Sequence, residues 1–345
     1  MTGPATDPDR FFDRTSPGAH EWWYFDAISD DGRDALVIVW YAGLPFDPSY
    51  GVATLRHLRD PGKHSAPRAL DHSAIGLSWH RDGKPTAYAL NGHRADSFRH
   101  QAEPFSVEIA TSRVERDAEG YRLTVATPSV EGRPIRAELR FRPARSTEPL
   151  ERDLGTPGAS HNWILAAADC RVEGRVAIGG EALAFAGRGY HDHNAGAEDL
   201  SVAMRRWEWG RVHRGPMTQI YYRSEPRRGP SRSLWISCRD GRPEVVREEL
   251  DVAGSGRRRN VFGVCHEAEL RLTGGTSWIA RSTGVCLDDG PFYRRWLADF
   301  TVSDGEEWKD PGQEVPGIAE LLDTGNLHSR WFNWMIPYRL KWPQS

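Results

Sequence analysis

From Tyr121 to Arg142 the chain alternates apolar and polar side chains with a period of two, and this pattern restricts the folds open to it. Tyr121, Leu123 and Val125 interleave with Arg122 and Thr124. Beyond the turn at Glu131-Gly132, Ile135, Ala137, Leu139 and Phe141 interleave with Arg136, Glu138, Arg140 and Arg142. Successive side chains of a strand point to opposite faces, so both segments read as half-buried antiparallel strands. Residues 20–26 are strand-prone and 35–41 form a continuous apolar run typical of a buried strand. The Asp82-Gly83 turn makes a hairpin of 74–80 and 85–90. Strand signals resume over 162–168, 182–190, 207–213, 217–223, 234–238, 268–272, 278–283 and 294–302. They are punctuated by Glu173-Gly174, Gly179-Gly180, Asp240-Gly241 and Gly274-Gly275.

No long segment has a period of 3.6. Residues 198–206 read as a short helix or loop and 318–322 as a short helix. Residues 331–340 read as an aromatic closing strand, 143–159 as a Pro- and Gly-rich loop, and 1–13 as a stretch with little ordering signal. Short strands with frequent turns are the signature of sandwiches and barrels. A chain of 345 residues has room for two such units, and the joint is expected near Gly196.

Composition removes several function classes. A formal net charge of −3 argues against nucleic acid as a partner, and the basic run Arg257-Arg258-Arg259 sits among Gly254, Gly256 and Asn260 as a solvated loop. No run of about 18 apolar residues is present, so no membrane-spanning helix is expected. Residues 1–13 lack the apolar stretch of a signal peptide. Four scattered cysteines without Cys-x-x-Cys spacing fit reduced core thiols in a cytoplasmic protein. The 14 tryptophans, several in pairs, are enough to wall an apolar cavity or to fill a β core.

Chemistry-bearing residues concentrate in Gly187-Arg188-Gly189-Tyr190-His191-Asp192-His193-Asn194-Ala195-Gly196, followed by Trp207-Glu208-Trp209-Gly210-Arg211. On a strand, Tyr190, Asp192 and Asn194 share one face and His191 and His193 the other. The flanking glycines permit a sharp turn or a close approach. Asp192 is also a residue type frequent in turns. His191-x-His193 is a spacing that can ligate a metal, with His20, Glu21 or His161 available to join it; the expectation is no metal, with the two rings bracing the joint. Trp22, Trp23 and Tyr24 suit a core, and Arg211 is expected to pair with Glu208 or Asp199. No serine or cysteine occupies a nucleophile-elbow pattern. No phosphate-binding glycine loop or nicotinamide fingerprint is present.

These residues resemble the carotenoid 1,2-hydratase (hydroxyneurosporene synthase) family, within a lipocalin-like superfamily that includes Diels–Alderase-type pericyclases. The resemblance rests on His20-Glu-Trp-Trp-Tyr-Phe-Asp26, Trp163 in His-Asn-Trp, Gly189-Tyr-His-Asp-His-Asn-Ala-Gly196, Trp207-Glu-Trp-Gly-Arg211 and Ile336-Pro-Tyr-Arg-Leu340. It implies an all-β fold. Residues 14–196 are expected to form an N-terminal β-sandwich and 197–345 a C-terminal lipocalin-like β-barrel, after a disordered or extended 1–13. It implies Asp192, Tyr190 and Trp163 as catalytic residues. Asn194, Trp207, Trp209, His191, His193 and Trp23 are the expected substrate-binding residues. The family's usual Tyr-Leu-Asp-Ser-Asn-Phe-Gly differs here at His191, His193 and Ala195.

The implied reaction is hydration of an isoprenoid or polyene double bond without a cofactor. Protonation gives a tertiary cation, which water captures. An exposed Asp is ionised at pH 7, so the donor must be buried, which raises a carboxyl pKa by up to roughly 3–5 units. Tyr190 would orient the Asp192 proton, Asn194 the water, and indole faces would stabilise the cation. The same equipment suits a terpene cyclase that excludes water, a pericyclase that only folds a polyene, or a non-catalytic lipid or pigment carrier. The expected partner is an apolar polyene, with peripheral membrane contact through apolar loop tips.

Overall fold

The computed structural model of the protein describes residues 7–12, 15–144, 149–303 and 313–342. Twelve strands pair into one antiparallel sheet and nine into a second, which curl into a nearly closed barrel and a half-barrel. The first sheet holds every strand from His20–Ser29 to Glu181–Gly196, and the second those from Met204–Arg214 to Val315–Asp323 except Arg258–Arg259 and Cys265–His266, which pair with each other as a separate small ribbon. The chain changes sheet at Leu200–Ala203, one helical turn whose N-cap Asp199 accepts from the Ser201 amide at 3.0 Å.

Strand alternation sorts the apolar residues into three cores. Trp23, Phe25, Ala27 and the alternating set from Tyr121 to Phe141 fill the inside of the first sheet. Val212, Tyr221, Trp235 and Trp296 fill the inside of the second. The third core lies between the sheets and takes the other face of the same strands: Trp22 and Tyr24 from one sheet, Trp207, Trp209 and Tyr222 from the other. Strand His20–Ser29 is therefore buried on both faces, which explains its lack of alternation.

Several sequence expectations are corrected. Residues 318–322 belong to strand Val315–Asp323, which is paired on both sides and buried on both faces; such an apolar run cannot be told from a buried helix by periodicity. Residues 331–340 contain two short helices, Arg330–Asn333 and Ile336–Arg339, and no strand. Lys341 then pairs with Asn91, so the end of the chain returns to the first sheet. A helix also forms at Pro48–Arg59, where Asp47 caps the Ser49 amide at 2.8 Å and proline occupies the first turn. Of the four cysteines only Cys170 and Cys238 are core residues; Cys286 is exposed. Among the described residues no helix is long and apolar enough to cross a membrane.

The N-terminal stretch is ordered where it is described. Asp9 is fully buried at the end of the first core. Its Oδ1 faces His191 Nε2 at 2.8 Å, and its Oδ2 accepts from Arg116 at 2.6 Å and from Tyr121 OH at 2.9 Å. Burial alone would raise the Asp9 carboxyl, but the His191 bond and the nearby positive charge hold it below its ordinary value. Residues 1–6 and 13, also expected to be unstructured, lie outside the described residues. Asp9→Ala would take a partner from the buried His191 and Tyr121, while Arg116 keeps Asp7, and is expected to cost about 3–5 kcal/mol, read as a lower urea midpoint of unfolding.

Candidate active site

Tyr190, Asp192 and Asn194 project from the end of strand Glu181–Gly196 into the core between the sheets. Glycine is needed here for close approach and not for a turn. A Cβ on Gly189 would stand 2.6 Å from the Asp26 carbonyl and 2.6 Å from Phe141, and one on Gly196 would stand 2.5 Å from the His20 ring. On the neighbouring strand Asn162–Ile178, Trp163 pairs with Asn194 and Leu165 with Asp192. The Trp163 indole therefore lies diagonal to Asp192, within reach of an aromatic side chain.

Three donors converge on the carboxyl. Trp163 Nε1 and Tyr190 OH each donate to Asp192 Oδ2 at 2.8 Å, and Asn194 Nδ2 donates to Oδ1 at 2.8 Å. Oδ1, accepting once, is the oxygen with room for a proton. Asp192 is 6% exposed. Burial pushes its pKa up to about 7, outweighing the bonds from Trp163 and Tyr190, which favour the charged form; the charges of Glu320 and Asp26 raise it further. Burial, and then the charge of Asp192, drives the Tyr190 phenol well above its usual range, so it remains a donor. The arrangement is a carboxylic acid with a substantial neutral fraction at pH 7, fixed in orientation and walled by aromatic rings.

Trp22, Tyr24, Trp207, Trp209 and Tyr222 line a narrow space beside Asp192, about 290 Å³ counting its open mouth. Trp22, Tyr24, Trp207 and Glu320 are shared with a larger, mostly apolar cavity of about 930 Å³, counting its mouth, between the sheets. Val37, Val39, Tyr41, Leu90 and Phe292 line it, together with Ile336 and Arg339 from the last helix. Trp22 and Trp207 stack at 6.1 Å, and His161 stacks on Trp207 at 5.4 Å.

Asp192, Tyr190, Trp163, Asn194, Trp207 and Trp209 are thus brought together. His191, His193 and Trp23 are not, and their expected place in the binding wall is corrected. Alternation sends all three into the core of the first sheet. There His191 stacks on Phe25 at 3.8 Å and contacts Asp9, while His193 stacks on Trp23 at 5.0 Å and contacts Glu21 at 2.8 Å. Arg211 pairs with Asp26 across the two sheets and not with Glu208 or Asp199. Glu208 lies on the opposite face of its strand, where Arg281 holds it.

Sequence reasoning missed Tyr24 as a wall residue and Asp26, Arg295 and Glu320 altogether. Tyr24 OH donates to Glu320 Oε1 at 2.7 Å, and Arg295 Nε donates to the same oxygen at 2.7 Å. The available signal was a lone carboxyl within the apolar run Ile318-Ala319-Glu320-Leu321-Leu322, since an acid is rarely buried without a partner.

Comparison with known proteins bears on this geometry. The chain is 28% identical over 337 residues to a hydroxyneurosporene dehydrogenase of Chlorobaculum tepidum, covering 91% of this chain and 85% of the relative. It is 29% identical over 347 residues to an acyclic carotenoid 1,2-hydratase of Thiocapsa roseopersicina, covering 98% of this chain and 76% of that protein. Among solved structures, a putative AttH from Nitrosomonas europaea shares the fold, with a TM-score of 0.60 at 14% identity over 88% of this chain and 92% of its own. The family model described as carotenoid hydratase CrtC matches residues 64–344, and the chain belongs to that family.

Proposed function

We propose that the protein hydrates a terminal carbon–carbon double bond of an acyclic carotenoid-like polyene by acid catalysis, without a cofactor. The observation that carries this reading is Asp192, a buried carboxyl whose pKa stands at about 7 beside an aromatic cavity. Asp192 transfers its proton to the less substituted alkene carbon, and the tertiary cation forms against Trp163, Trp207 and Trp209. Such cation–ring contacts are worth roughly 0.5–2 kcal/mol each. Trp163 and Tyr190 hold Oδ2, stabilising the carboxylate left behind, and Asn194 fixes Oδ1. Water then closes the cation to a tertiary alcohol. The polyene chain occupies the larger cavity toward Phe292 and Ile336. Family membership and the hydratase named among the relatives support this substrate class.

The same reading places the cavity mouth on a bilayer, where such a substrate dissolves. Trp331 and Tyr338 on the two short C-terminal helices and Trp334 in the turn between them are 84%, 69% and 62% exposed. Aromatic rings of this kind suit the headgroup level of a membrane. Arg330, exposed on the first of these helices, favours anionic lipid.

Asp192→Asn is expected to lower hydration by about 10²–10⁴-fold, measured by chromatography of hydroxylated product; unchanged turnover sinks the acid role. A carboxyl raised in the folded state favours folding below its unfolded pKa, and that benefit fades as pH rises through about 7. At pH 8 the Asn variant should therefore melt at or above the wild-type temperature. Since the neutral acid is the active form, kcat/KM should fall by about tenfold per pH unit above roughly 7. Replacing Trp331 and Trp334 together by Ala should weaken flotation with anionic liposomes while leaving turnover of detergent-dispersed substrate intact; undiminished flotation excludes this face.

A further inference from the structure

The space beside Asp192 has a second carboxyl in its wall. Glu320 pairs in register with Trp209 on one neighbouring strand and with Arg295 on the other. It lines both the small space and the larger cavity. Its side chain is 9% exposed. Oε1 receives Tyr24 OH and Arg295 Nε, each at 2.7 Å, and the Tyr293 phenol is a further hydrogen-bond neighbour of the same carboxyl. The guanidinium is fixed in turn by Ser78 Oγ at 3.1 Å and Tyr293 OH at 2.6 Å. Burying an ionised carboxylate is costly unless it is paired. Here Tyr24 and Arg295 both engage a single oxygen of a carboxyl that lines the space shared with Asp192. A purely structural ion pair would gain more from a bidentate fork between guanidinium and carboxylate.

We propose that Glu320 is the base of the hydration, a role that rests on the hydration reading of Asp192. The Asp192 O–H bond breaks as a C–H bond forms, and the electron pair of the double bond is consumed, leaving the tertiary cation. A water oxygen bonds to that carbon while one of its protons passes to Glu320 Oε2. Asp192 is then a carboxylate and Glu320 a carboxylic acid. The proton returns to Asp192 through water in the space both groups line, and the sum is alkene plus water to tertiary alcohol. Tyr24 and Arg295 are positioning residues, holding Oε1 so that Oε2 faces the water.

The experiment compares wild type, Asp192→Asn and Glu320→Gln on a detergent-dispersed acyclic carotenoid in deuterated water, scoring hydroxylated product and deuterium in recovered alkene. Glu320→Gln keeps the size and the Oε1 contacts, so protonation should continue while water capture fails. Hydration should fall by about 10²-fold or more, and the recovered alkene should carry deuterium. Asp192→Asn should show neither product nor deuterium. Glu320→Gln hydrating at the wild-type rate, or losing deuterium uptake as Asp192→Asn does, overturns the proposal. If Glu320→Gln does not fold, Glu320→Asp keeps the charge but withdraws it by one methylene. It should hydrate more slowly with deuterium uptake retained, and a wild-type hydration rate there also overturns the proposal. A wild type that forms no alcohol while Asp192→Asn leaves it unchanged overturns the hydration reading itself.

Discussion

Trp163, Tyr190 and Asn194 all donate to Asp192, and every one of those bonds favours its charged form. The carboxyl is nonetheless shifted toward neutrality because burial between two sheets outweighs them. Both effects are needed. Without the donors the group would have no fixed orientation, and without burial it would be an ordinary carboxylate at pH 7. The depth of burial comes from neither sheet alone, since Trp163 and Tyr190 belong to the first and Trp209 and Tyr222 to the second.

The joint between the sheets consequently carries an unusual load of charge. Arg211 reaches across to Asp26, and Arg295 bridges Glu320 and Ser78. Buried pairs of this kind seldom add net stability. Their contribution is to fix the relative placement of the two sheets, on which the geometry around Asp192 depends. The histidines of the central motif serve the other side of the same strand. His191 and His193 tie the first core to Asp9 and Glu21, so strand Glu181–Gly196 is held from behind while its front face carries the acid.

Period-two patterning made most strands legible, and it correctly separated Tyr190, Asp192 and Asn194 from His191 and His193. Treating the two histidines as substrate contacts overlooked that same rule. The errors elsewhere each have a physical origin. Residues 318–322 are buried on both faces, and a strand without a wet face loses the alternation that identifies it. The helix at Pro48–Arg59 was signalled by its cap and its proline more than by periodicity, because part of its apolar surface faces solvent. The tryptophans near 331–334 were counted toward a strand, whereas the short helices there leave them exposed.

The amino-acid order by itself determined the strand-rich class and placed Asp192 with its phenol and amide neighbours on one face, because two residues apart on a strand means the same side. It could not determine that Glu320, distant in the chain, would share a wall with Asp192. Nor could it show that Arg211 would choose Asp26 over the nearer Glu208. Those outcomes were decided when two sheets packed face to face. Register and alternation are local, whereas the depth of a carboxyl and the identity of its counter-charge depend on what the opposing sheet brings against it.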